Sequence, residues 1–202
     1  MNDYSWPKKG NKAFATDADD RSFHIRSLSP HLPPHADSFR MAAEMLIDAH
    51  VEGDDHHRDE LFLPIAYLYR HSLELRLKDI VALGVGLELC DRDKAKKILD
   101  DHNLAALWNQ AKKAIIGRWS DGQDVRAVES VINEFHQVDP KGQSFRYNRD
   151  IDQKLHTHKK LPEWVNPIKL QVTMNGVFSF LDGCRDGLDD SLQDMQSNAG
   201  CY

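Results

Sequence analysis

The clearest periodic pattern in the chain lies in residues 61–78, LFLPIAYLYRHSLELRLK, and it predicts one long helix. At about 100° per residue, five polar side chains of this helix fall within one stripe roughly 100° wide. We call them the polar stripe: Tyr67, Arg70, His71, Glu74 and Lys78. Apolar residues border the stripe, with Leu75 on one side and Leu73 on the other. Because a surface helix usually has one broad polar face, so narrow a stripe indicates polar groups held at a cleft or inside the fold.

Helical periodicity continues through most of the chain. It predicts main helices at about 38–51, 58–83, 104–116, 123–137 and 166–190, with a short helix at 93–99. Asp37, Asn103 and Asn166 are the predicted N-caps, and Gly84 and Gly86 are predicted to end the second helix. Strands and helices do not alternate. The predicted fold class is therefore all-α, a bundle of about five main helices with an irregular segment before the last helix.

Composition divides the chain into three predicted parts. Residues 1–36 are rich in charge, serine and proline, which predicts an extended N-terminal arm. Residues 37–190 form the predicted single helical domain. The polar residues 191–202 are predicted to be a flexible tail.

Bulk composition limits the classes of function. The 202 residues carry a net charge of −6, with 41% hydrophobic and 29% charged residues, as in soluble globular proteins. No global positive field therefore draws nucleic acid to the chain. No apolar run approaches the roughly 20 residues that span a bilayer, so no membrane association is expected. The cysteines Cys90, Cys184 and Cys201 are widely spaced and odd in number, which favours a reducing cytoplasm.

The polar stripe contains the side chains needed for chemistry on a phosphate. Arg70 offers a planar donor fork for phosphate. His71 is a candidate general acid or base, and Glu74 is placed to orient it. Lys78, one turn further along, is a candidate ligand-binding cation. The same residues also fit an internal ion-pair network that fixes helix packing, and the sequence leaves both interpretations open.

A second candidate feature is the run QSFRYNR at residues 143–149. Arg146 and Tyr147 follow Phe145, so a cation alternates with aromatic rings, as in surfaces that stack on bases. A loop that points Arg146 toward Glu74 explains the run equally well.

The remaining sequence motifs argue against several classes of function. The histidines at 56–57 and at 156 and 158 lack a third ligand at a recognised spacing, so neither a metal site nor a cofactor is predicted. The Walker A, G-x-G-x-x-G and G-x-S-x-G motifs are absent from the sequence. Their absence disfavours nucleotide-dependent phosphoryl transfer and acyl transfer at a nucleophile elbow.

The runs YLYRHSLELRLKDI, DHNLAALW and DPKGQSFRYNRD together resemble bacterial proteins of the HEPN-like superfamily, over about residues 58–150. The resemblance implies an all-helical bundle, frequent dimerisation, a place in toxin–antitoxin or phage-defence systems and, in active members, RNA cleavage without metal. Active members carry an arginine and a histidine separated by four to six residues near the end of a helix. Two pairs here have that spacing, Arg26 with His31 and Arg149 with His156, whereas Arg70 and His71 are adjacent.

Three functional hypotheses follow from the sequence. The first is a HEPN-like toxin or phage-defence protein that binds RNA, and as an enzyme cleaves it without metal. Its candidate residues are His71, Arg70 and Glu74 for catalysis, and Lys78, Arg146 and Tyr147 for RNA binding. The second is a non-catalytic interaction or sensor module, whose partner is a second copy or a protein of the same operon. The third is a binder of a small anionic ligand. The net charge of −6 weighs against tight nonspecific RNA binding.

Overall fold

A computed structural model describes residues 36–53, 59–147 and 160–199. All of the described residues belong to one compact unit of the chain. The described residues form six α-helices and contain no strand, so the predicted all-α bundle is confirmed. The helices are α1 Ala36–Glu52, α2 Phe62–Gly86, α3 Arg92–Leu99, α4 Leu104–Arg118, α5 Gln123–Val138 and α6 Pro167–Ala199. A 3₁₀ turn, Asp59–Leu61, leads into α2.

Two helix starts follow from side-chain caps, as predicted. The side-chain oxygen of Asn103 accepts a hydrogen bond from the Ala106 N–H at 3.0 Å, at the start of α4. Asn166 accepts one from the Lys169 N–H at 2.9 Å, at the start of α6. Each cap satisfies a donor that the first helical turn leaves without an internal partner.

Three boundary predictions are wrong. Asp37 is not the N-cap of α1, because that helix begins at Ala36 and the Asp37 carboxylate pairs with an arginine of α2 instead. Gly84 does not end α2; it is a buried residue within the helix. The last helix does not end at about residue 190, because α6 continues to Ala199. Leu192 lies over Gly86 at the end of α2, which gives this part of α6 an apolar contact.

The core of the bundle is organised around α2, which packs against α1, α4 and α6. Leu73, Leu77 and Ile80 of α2 have no exposed surface. Complete burial of such a side chain stabilises a fold by about 1.5–3 kcal/mol. Trp108 of α4 and Phe178 of α6 are the largest aromatic side chains buried against this helix. The polar stripe therefore lies on the central helix of the fold.

A second face of α2 carries a buried arginine that the sequence analysis did not single out. Arg76 is almost completely buried, and its guanidinium lies 2.9 Å from Asp37 of α1 and 2.8 Å from Asp182 of α6. Asp182 also pairs with Arg40 of α1 at 3.0 Å. These contacts join three helices, because each carboxylate approaches the arginine from a different element.

Asp79, at the edge of this cluster, is expected to destabilise the protein at neutral pH. Its carboxylate lies 4.0 Å from Arg76, too far for a hydrogen bond. Burial raises the pKa of Asp79 from 3.8 to about 6, against the opposing charges of Arg76 and Arg185. Because the pKa of Asp79 is higher in the folded than in the unfolded protein, ionisation of this carboxyl lowers the free energy of unfolding. The loss is complete above pH 6 and disappears below about pH 3.8.

The variant Asp79→Asn is therefore expected to be more stable than the wild type at pH 7.5, by about 1 kcal/mol after allowance for partial exposure. The gain is expected to shrink steadily as the pH falls toward 4. Urea unfolding at several pH values measures both effects, with the exposed Asp194→Asn as the control. A loss of stability at pH 7.5 would show that the two arginines outweigh the cost of burial.

Candidate functional site

The polar stripe is centred on a buried ion pair. Arg70 and Glu74 lie one turn apart on α2, and only 2% of each side chain is exposed. A guanidinium nitrogen of Arg70, Nη1, lies 2.7 Å from Glu74 Oε2. Its Nε lies 3.0 Å from the carboxylate of Asp139, and Nη2 donates to the backbone carbonyl of His102. All three nitrogens of the guanidinium are therefore engaged by groups of the protein itself.

The turn after α5 closes over Arg70. Asp139 Oδ2 contacts the arginine, while Oδ1 accepts hydrogen bonds from the N–H groups of Gln143 and Ser144 at 2.7 and 2.9 Å. Gly142 has a φ of +69°, and a Cβ at this position would lie 3.2 Å from the guanidinium. Glycine satisfies both constraints at once, since it adopts positive φ freely and has no Cβ. Asp139 thus fixes the 139–147 turn to α2.

Glu74 connects the buried arginine to the partly buried Lys78 and the exposed His102. Its second oxygen, Oε1, lies 3.0 Å from Lys78 Nζ and 2.8 Å from His102 Nδ1. Burial by itself would raise the pKa of Glu74. The hydrogen bonds from Arg70, Lys78 and His102 outweigh it and lower the pKa to about 2. Glu74 is therefore an ionised carboxylate throughout the neutral range.

His102 is held at three points while its ring remains accessible. Its backbone N–H donates to the Asp101 carboxylate at 2.7 Å, and its backbone carbonyl accepts a hydrogen bond from Arg70. Its ring Nδ1 contacts Glu74. The side chain is nevertheless 58% exposed. Because an ionised Glu74 has no proton to give, Nδ1 must be the donor in this contact. The other ring nitrogen, Nε2, is left for an external group.

His71 has a different environment from the one predicted. Its ring stacks on Tyr67, with centroids 5.7 Å apart, and meets Phe39 of α1 edge-on at 4.5 Å. Burial lowers the pKa of His71; Glu74 opposes this, and the charges of Arg70, Lys78 and His102 reinforce it. Within the part of the chain that the structure describes, no hydrogen bond joins His71 to Glu74. Glu74 thus acts on His71 through its charge, and it makes its hydrogen bond to an imidazole with His102.

Of the three central residues of the run at 143–149, Phe145 is buried and Arg146 and Tyr147 are exposed. Phe145 is buried beside Ala66 and Val138. The guanidinium carbon of Arg146 lies 5.8 Å from the ring centre of Tyr67 and 5.5 Å from that of Tyr147, which is 56% exposed. Arg146 Nε donates to the Gly142 carbonyl at 2.8 Å. Within the described residues no ion pair joins Arg146 to Glu74, so that interpretation of the run is wrong.

These contacts bring both predicted features together at one surface, which we call the histidine face. It consists of Tyr67, His71, Lys78, His102, Arg146 and Tyr147. The face carries two permanent cations, two imidazoles and two tyrosine rings. Beneath it lie the side chains of Arg70, Glu74 and Asp139, each engaged by internal partners. The predicted stripe therefore divides into a buried network and an accessible edge.

Two residues of this arrangement were missed or left undecided by the sequence. Asp139 was not among the candidate site residues, because nothing in its local sequence identifies a partner 69 residues away. His102 was not among the candidate site residues either. Its position immediately before the N-cap Asn103 was the available signal, because a cap fixes the backbone on which the ring is mounted.

Several other predicted groups lie outside the described residues. They are Arg26, His31, Arg149 and His156, together with the histidine pair at 56–57 and His158. Within the described ranges, no three side chains of histidine, cysteine, aspartate or glutamate are grouped as metal ligands.

An apolar cavity of about 420 Å³ lies apart from the polar stripe. Its walls come from α2, α5, α6 and residues 161–166, and they include Phe62, Phe135, Trp164 and Leu170. None of the five stripe residues lines it. The histidine face is therefore an open surface and not the wall of this cavity.

The chain matches no protein-family model, no curated protein and no solved structure. None of the helices in the described ranges combines the length and apolar character needed to cross a membrane.

Proposed function

We propose that the protein binds single-stranded RNA on the histidine face, in keeping with its resemblance to HEPN-like proteins of toxin and phage-defence systems. The observation that carries this proposal is the clustering of two cations with two aromatic rings: Arg146 and Tyr147 are exposed, and Lys78 and Tyr67 are partly exposed. Cations neutralise phosphates, and aromatic rings stack on unpaired bases. A surface that offers both fits a strand whose bases are unpaired.

The buried network supports this surface. Asp139 fixes the turn that presents Arg146 and Tyr147, and Glu74 fixes Lys78 and His102. Side chains that are held in place before binding lose less conformational freedom when the ligand arrives. Because the whole chain is acidic, binding depends on this local patch and is expected to weaken steeply as salt concentration rises.

Fluorescence anisotropy with a labelled single-stranded RNA tests the proposal. Tyr147→Ala and Arg146→Gln are each expected to weaken binding by about tenfold, the value of one stacking or cation contact. Arg126→Gln is the matched control, since this exposed arginine lies near the opposite end of α5, roughly 20 Å along the helix from Asp139. Absence of binding at low salt, or equal affinity in all four proteins, would falsify the proposal.

A second candidate function is a non-catalytic interaction module. It is favoured by one observation: Arg70 and Glu74 are buried, and their contacts are internal. In that case the network serves only to hold α2, the α4 start and the 139–147 turn together. The anisotropy experiment separates the two, because a purely structural network predicts no RNA binding at the face above it.

A further inference from the structure

We propose that the apolar cavity between α2, α5 and α6 binds a small single-chain carboxylate, with the apolar tail inside and the carboxylate at the opening beside Lys169. This site is separate from the histidine face, because none of the six residues of that face lines the cavity. The binding of such a ligand is therefore independent of the proposed binding of RNA.

The interior of the cavity is apolar. Its buried lining residues are Ala66, Val138, Phe145 and Met174, and none of them is more than 8% exposed. Pockets that bind small molecules usually have volumes of about 300–1,000 Å³ and mainly apolar walls. With a volume of about 420 Å³, this cavity lies within that range. An apolar tail that enters it leaves water, and the removal of apolar surface from water favours binding.

The opening of the cavity is polar. All four polar residues that line the cavity are exposed, and they are Glu134, Asn166, Lys169 and Thr173. The ring of Trp164 also lines it, although this residue is 81% exposed. A residue that lines a cavity and is also exposed lies where the cavity meets solvent. An apolar interior with charged groups at its opening matches a ligand that has an apolar tail and one charged end group.

The charges at the opening favour a carboxylate over an ammonium group. Within the described ranges Lys169 forms no ion pair, so its ammonium group is available to a ligand. Lys160 lines an adjoining recess that shares Glu134 with the cavity. Its Nζ donates one hydrogen bond, to the Gln137 carbonyl at 2.8 Å, and an ammonium has three donors. Two lysines thus face one carboxylate, and the positive end of the α6 dipole, where Asn166 caps the helix, adds to them.

The volume of the cavity limits the size of the ligand. A cavity of about 150 Å³ holds one benzene molecule. By the same ratio, a volume of about 420 Å³ has room for roughly 15 non-hydrogen atoms. A straight-chain carboxylate of about ten carbons meets this limit, whereas a phospholipid with two acyl chains exceeds it. The ligand class is therefore a free monocarboxylate with a tail of medium length.

Isothermal titration calorimetry on the full chain tests the charge of the ligand. Decanoate, 1-decanol and decylammonium have the same tail and differ only in the end group. The wild type is expected to bind decanoate more tightly than decylammonium. Lys169→Met is expected to weaken the binding of decanoate by about tenfold, the value of one hydrogen bond to a charged group, and to leave the binding of 1-decanol unchanged. Lys96→Met is the matched control, since this exposed lysine belongs to α3, which does not line the cavity.

A second variant tests the position of the tail. Thr173 lines the cavity but is exposed, so Thr173→Phe adds a ring at the cavity wall and removes no buried side chain. This variant is expected to weaken the binding of all three probes by at least tenfold, because the ring occupies the space that the tail needs. Thermal melts of every variant confirm that the fold is retained.

Each contrary result overturns a stated part of the proposal. If the wild type does not bind decanoate, or if Thr173→Phe binds it as the wild type does, the cavity is not the site. If decanoate binds equally well to Lys169→Met, or if decylammonium binds the wild type most tightly, the ligand is not a carboxylate. Light scattering tests for a second copy of the chain as the occupant. A dimer that decanoate dissociates would assign the cavity to an interface and overturn the proposal, whereas a monomer with and without decanoate supports it.

Discussion

Replacing Arg70 with methionine is expected to lower the Tm of the protein by roughly 10 °C. Removal of one partner from a buried ion pair costs about 3–5 kcal/mol, because the other charges stay buried without compensation. Here Glu74 and Asp139 both lose their contact with the guanidinium. In a chain of this length, 1 kcal/mol corresponds to about 2–4 °C.

The same substitution at an exposed arginine provides the control for this prediction. Arg126 lies 3.9 Å from Asp121, and both side chains are largely exposed. Such surface pairs contribute about 0–1 kcal/mol, so Arg126→Met is expected to shift the Tm by a few degrees at most. Thermal melts followed by circular dichroism measure both variants. Similar melting temperatures for the two would mean that the Arg70 network does not hold the bundle together.

A double variant separates the loss of packing from the loss of charge. Arg70→Met combined with Glu74→Gln removes the orphaned carboxylate of Glu74, so it is expected to recover part of the lost stability. Asp139 retains the N–H groups of Gln143 and Ser144 as partners in either case. If the double variant melts lower than Arg70→Met, Glu74 is stabilised mainly by Lys78 and His102.

Helical periodicity predicted the elements of this fold because it depends on residues three and four apart. The stripe on α2 and the caps at Asn103 and Asn166 are local features, and the structure contains them. In the structure the α4 start and the 139–147 turn both contact the stripe. Periodicity identifies a face of a helix, but it does not identify what covers that face.

The partners of the buried arginines depend on long-range packing. Arg70 meets His102 and Asp139, which are 32 and 69 residues away in the sequence. Arg76 was overlooked because it lies between two leucines, outside the polar stripe. Its partners Asp37 and Asp182 come from helices at opposite ends of the described chain. The partners of the two arginines do not lie at a fixed short spacing in the sequence, so they can be identified only from the packed structure.

The buried and the accessible residues of the stripe are expected to respond differently to substitution. Arg70 and Glu74 are buried, so their substitution changes stability and activity together. Lys78, His102 and Tyr147 are accessible and make few contacts that hold helices together. Variants at the accessible edge therefore report on function more directly than variants at the buried centre, although the buried centre produced the pattern in the sequence.

Gly84→Ala is expected to destabilise the protein by about 1–2 kcal/mol, although alanine is the better helix former. In the interior of a helix, replacing glycine with alanine normally gains about 1 kcal/mol. A Cβ at Gly84 would lie 2.7 Å from the Cβ of Ala114 and 2.8 Å from the sulfur of Cys90. These distances require α2 and α4 to move apart, and overpacking of this kind costs about 1–3 kcal/mol.

Gly183→Ala in α6 is the matched control, because nothing lies within 4 Å of a Cβ at that position. With helix propensity alone at work, this variant is expected to gain about 0.5–1 kcal/mol. Urea unfolding of both variants measures the free energy of unfolding and, through an unchanged m-value, confirms that the same surface is exposed. A loss of unfolding free energy in Gly84→Ala together with a gain in Gly183→Ala would show that the close contact of α2 and α4 leaves no room for a side chain at position 84. Stabilisation of both proteins would mean that the two helices separate at no cost.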